Sequence, residues 1–123
     1  MSIFFEQGGQ TIWNPLNSTG LLFVENVRAL EQCVHMTSGI GAISSDEVMI
    51  DSEQLQLFLR TVIGQSARNQ SLAILVRGVC VHIAAMLHCT GNSADFVLKS
   101  VSQEWLAEAN HLASHYMKSL VQG

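Results

Sequence analysis

The sequence predicts a mainly α-helical domain: a four-helix bundle-like fold around a buried central helix at 71–89, with a small N-terminal β-hairpin. Three observations lead there. The run from Ser71 to Cys89 is apolar almost all round at 100° per residue. Three further segments carry one-sided apolar stripes of helical period. The opening residues alternate around a glycine pair, as a hairpin does.

In the central run Leu72, Leu75, Val76, Val79, Cys80, Ile83, Met86 and Leu87 share one face, and Ile74, Val81, Ala84 and Ala85 occupy the other. Such a helix is either a membrane span or the middle of a core. Arg77 and His82 interrupt it, and a charge at the bilayer centre costs about 3 kcal/mol, so a core helix with no membrane partner is expected. At 123 residues the chain suits one domain spanning 1–123, long enough to bury a core without disulfides or metals. Nearly half the residues are apolar and 13% are charged, which excludes a disordered chain.

Ile3-Phe4-Phe5 and Thr11-Ile12-Trp13 flank Gly8-Gly9, which supplies the positive φ of a tight turn. Trp13-Asn14-Pro15 stops the second strand, because the residue before proline is held extended. A helix is expected from about Ser18 to Thr37. Phe23, Val27, Leu30 and Val34 form its stripe, Leu22 and Cys33 broaden it, and Gly39 and Gly41 end it. Glu47 to Ile50 reads as a short strand running into a helix capped by Asp51 or Ser52. Leu55, Phe58, Leu59, Val62 and Ile63 mark the buried face of that helix, and Gly91-Asn92 stops the central one. Phe96-Val97-Leu98 fits either a first helical turn or a strand. Beyond it, Trp105, Ala109, Leu112, Ala113, Tyr116 and Leu120 set the inner face of a last helix, with Glu104, Glu108, His111, His115 and Lys118 opposite.

The formal charge of −4 argues against a general nucleic-acid binder, which needs a basic surface to displace counterions, and is compatible with a basic protein partner. No positive region precedes an apolar stretch at Met1–Gly9, so no secretory signal is expected. Cys33, Cys80 and Cys89 show no metal spacing, and an odd count suits reduced thiols in a cytoplasmic protein. Cys80 and Cys89 lie roughly 13 Å apart along one helix and cannot bridge while it is intact.

Candidate functional residues fall into three groups. His111 and His115 stand i, i+4 with Glu104 and Glu108 on their face. Zinc can use such a pair, but the HExxH glutamate is absent and a solvated face explains the group, so neither a metal nor another cofactor is expected. Arg77, His82 and His88 on the central helix could line a pocket. An arginine on such a helix needs an acidic partner or a route to water, and a structural pair is the simpler role. Asp46, Glu47, Asp51 and Glu53 put four carboxylates within eight residues, with no Lys or Arg between Arg28 and Arg60. A solvated loop with favourable charge at a helix N-terminus accounts for them, and so does a surface that docks a basic partner. No nucleophile elbow, phosphate loop or dinucleotide fingerprint is present, and no catalytic residue is assigned.

Trp13-Asn14-Pro15, the following Gly20-Leu21-Leu22-Phe23, and Val48-Met49-Ile50-Asp51 carry a resemblance to a family of small uncharacterised bacterial proteins. Members begin with a short hairpin, a Trp-Asn-Pro turn and an apolar helix, and the resemblance brings no catalytic residues with it. In style the chain is similar to the small acidic immunity proteins that bacteria make against toxins. Two functions follow as expectations. One is a non-enzymatic protein-binding protein, an immunity protein that neutralises a basic toxin through acidic surface. The other is a small helical enzyme or ligand-binding domain with a pocket on the central helix. Homodimerisation through leftover apolar surface fits either.

Overall fold

The structure, a computed structural model, describes residues 1–92 and 103–117. Its order is β1 (Phe4–Gln7), β2 (Gln10–Trp13), α1 (Asn17–Val34), β3 (Glu47–Met49), α2 (Ser52–Ser66), α3 (Gln70–Cys89) and α4 (Gln103–His115). The domain is mainly helical, with four helices among the described residues and a small three-stranded sheet. Phe96-Val97-Leu98, Lys118 and Leu120 lie outside the described residues.

The hairpin forms as its glycines require. Gly8 and Gly9 take φ of 61° and 84°, which an L side chain would resist, and β1 and β2 pair antiparallel across them. The sheet gains a third strand. β3 lies parallel to β1 with Phe5 opposite Val48, so the strand order is β2-β1-β3. A parallel neighbour cannot be reached through a tight turn; β2 and α1 together make the crossover. Gly39 to Gly41 then runs along the outer edge of β3. Gly41 N–H donates to Met49 O and Asp51 N–H donates to Gly39 O, each at 2.8 Å.

One face of the sheet is dry. Phe5, Ile12 and Val48 are fully buried beneath the helices, with Ile3, Trp13 and Ile50 beside them. Phe5, Trp13 and Phe23 form an aromatic triangle with ring centroids 5.0–5.7 Å apart. Gly20 lets α1 approach this layer: a Cβ there would sit 3.1–3.3 Å from Ile3 and Pro15 atoms.

The helices keep most of their expected faces. α2 buries Leu55, Phe58, Leu59, Val62 and Ile63. Its cap is Asp51, which accepts from Gln54 N–H at 3.2 Å, while the Gln54 side chain donates to Thr37 O. Asn69 caps α3 by accepting from Leu72 N–H. At the other end of α3, Gly91 N–H donates to His88 O and Asn92 N–H to Leu87 O, the closure that the Gly-Asn pair predicts.

Four expectations need correction. α1 stops at Val34, not near Thr37, because His35 takes the left-handed conformation (φ 58°) and its N–H closes onto Glu31 O. Leu22 and Cys33 do not widen the buried stripe of α1; both are exposed. Tyr116 is exposed, and Met117 occupies the buried position at the end of α4. The largest departure concerns α3. Its C-terminal half is enclosed, with Cys80, Val81, Ile83, Ala84, Ala85, Met86, Leu87 and Cys89 all buried. Its N-terminal half emerges from the core, leaving Ile74 72% and Leu75 80% exposed. An all-round apolar helix needs neighbours on every side, and among the described residues none covers Ile74 and Leu75.

Candidate functional site

The four clustered carboxylates lie where the sheet meets α2. Ser44 and Glu47 exchange two backbone hydrogen bonds at 2.9 Å, closing a two-residue turn over Ser45 and Asp46, both at positive φ. Asp46 O accepts from Phe4 N–H, fixing the turn to β1. Strand alternation then buries Val48 and Ile50 and turns Glu47, Met49 and Asp51 outward. Asp46, Glu47, Asp51 and Glu53 are all exposed. Apolar side chains stand among them: Met49 is 54% exposed, and Phe4, opposite Glu47 in the sheet, and Ile43 are exposed too. The result is a mixed acidic and apolar surface. Charge is unevenly placed along the whole chain: seven of the 10 acidic residues precede residue 60, against Arg28 alone among the six basic ones.

Arg77, His82 and His88 occupy three different settings. Arg77 is held across the α3–α4 contact by Glu108, with Glu104 3.6 Å away. His88 is exposed in the last turn of α3. His82 alone of the three lines the recesses beside α3. Its Nδ1 lies 2.9 Å from Gly78 O, in position to donate, and its ring packs on Trp13 and Phe23 at 5.4 and 6.1 Å. On one side of it, between α1 and α3, a recess of about 240 Å³ is lined by Trp13, Leu22, Phe23, Leu75 and Val79. On the other side, between α3 and α4, Val81, His111 and Leu112 line a second recess.

His111 and His115 are exposed with rings stacked 4.2 Å apart. Among the described residues no three His, Cys, Asp or Glu side chains are grouped as metal ligands. The thiols divide by burial. Desolvation pushes Cys80 up to about 12 and Cys89 to about 11, so both stay protonated at neutral pH and serve as small apolar groups. Cys33 is exposed.

One polar cluster was not foreseen. Glu31 Oε2 accepts from the Ser38 N–H at 2.8 Å and from its hydroxyl at 2.7 Å, and Arg28 pairs with the same carboxylate at 3.2 Å. Arg28 also donates to Gly41 O, and the fully buried Ser38 hydroxyl accepts from Ile40 N–H. Burial pushes the Glu31 pKa up, but the Ser38 hydrogen bonds and Arg28 outweigh it and hold the carboxyl below its ordinary range. The cluster ties the end of α1 to the segment along β3. Arg28 and Glu31 at i, i+3 were the available signal, but their further partners come from a loop no periodicity describes.

Fold and surface together define a small helical domain with a capping sheet, an acidic-apolar sheet edge and an apolar recess flanked by helices. The chain belongs to a family of unknown function, DUF6086, whose family model matches residues 1–121. Comparison with curated proteins gave no match, and comparison with solved structures gave none.

Proposed function

We propose that this chain is a non-enzymatic protein-binding protein whose acidic sheet edge docks a basic protein, in the manner of an immunity protein neutralising a toxin. The observation that carries the reading is the surface around β3. Asp46, Glu47, Asp51 and Glu53 stand exposed around Met49, Phe4 and Ile43. Apolar contact area supplies affinity in such a surface, and surrounding carboxylates steer a cationic partner and set register. The backbone beneath is held by the Ser45-Asp46 turn, the β1–β3 pairing and the Asp51 cap, so little ordering would be needed on association. The buried, protonated thiols and the separated settings of Arg77, His82 and His88 give a catalytic reading less to build on.

The test begins with a tagged-protein pull-down from the native cells, eluted with rising salt. The expected product is one stoichiometric basic protein, whose toxicity on expression is relieved by co-expression of this chain. A quadruple variant, Asp46→Asn, Glu47→Gln, Asp51→Asn and Glu53→Gln, removes the charge while leaving an asparagine at the positive-φ turn position and at the helix cap. Its association rate with the captured partner should fall at least tenfold at low salt. Unchanged binding by the folded quadruple variant would sink the acidic-docking reading.

A further inference from the structure

We draw no further inference here: the strongest candidate, the recess of about 240 Å³ between α1 and α3 lined by Trp13, Phe23 and His82, opens onto the exposed apolar side of α3, and nothing in the structure shows what covers it.

Discussion

Removing the Glu31 carboxylate should be among the costliest single changes available outside the apolar core. Glu31→Ala leaves two Ser38 donors without their partner, the backbone N–H and the hydroxyl, and Ser38 is fully buried. An unpaired buried donor costs about 1–3 kcal/mol. The Glu31 side chain is 19% exposed, so some water can enter the space it vacates, and the lower half of that range applies to each donor. The expected loss is about 2–4 kcal/mol, or a fall of roughly 1–2 M in the urea midpoint. Ser38→Ala should cost about 1–2 kcal/mol, because it strands Ile40 N–H and removes one bond from the carboxylate. The two changes share an interaction, so the double variant should fall short of the sum by about 1 kcal/mol. Urea unfolding by circular dichroism at neutral pH measures all three. A Glu31→Ala midpoint within about 0.3 M of the parent would show that Ser38 is satisfied without the carboxylate, and the reasoning would fail.

The remaining predictions draw on the same local physics. Because the folded-state pKa of Glu31 is depressed, its contribution is fully present above the ordinary value of 4.5 and is lost as pH falls through the lower folded value; Glu31→Gln should flatten that part of the stability–pH profile. Gly39→Ala should destabilise by about 3 kcal/mol, since its φ is +87° and a Cβ would lie 2.6 Å from Asp51 O; thermal melts read this directly. Thiol labelling of the native protein should modify Cys33 alone, with Cys80 and Cys89 reacting only in denaturant, and stoichiometric labelling of all three in native buffer would contradict their burial. Asn69→Ala should cost about 1 kcal/mol by stripping the cap from α3, checked by the same unfolding curves.

Much of this architecture was legible in the chain because local chemistry left few choices. Gly8-Gly9 demanded a tight turn, Asp51 with Gln54 marked a helix start, and Gly91-Asn92 marked a helix stop. The stripe of α2 named its buried residues because a one-sided pattern has one way to face a core. The charge cluster at residues 46–53 was equally visible, though its apolar companions Phe4, Ile43 and Met49 were not, since they come together only through the sheet.

What the tertiary structure alone decided concerns pairing and coverage. The Glu47–Met49 strand could have paired with any edge; its parallel place beside β1 follows from the α1 crossover and the burial of Phe5 against Val48. The sequence pattern runs α1 on to about Thr37, yet His35 closes it, and the freed segment folds back so that Ser38 reaches Glu31. For α3, apolar residues on every side signal enclosure without saying which turns receive it. Periodicity reports the direction of each side chain about an axis, and only the packed neighbours determine whether anything stands in that direction. Cys80 and Leu75 look alike to a hydropathy pattern; one is fully buried and the other is 80% exposed, although Val76, next to Leu75, is buried as well.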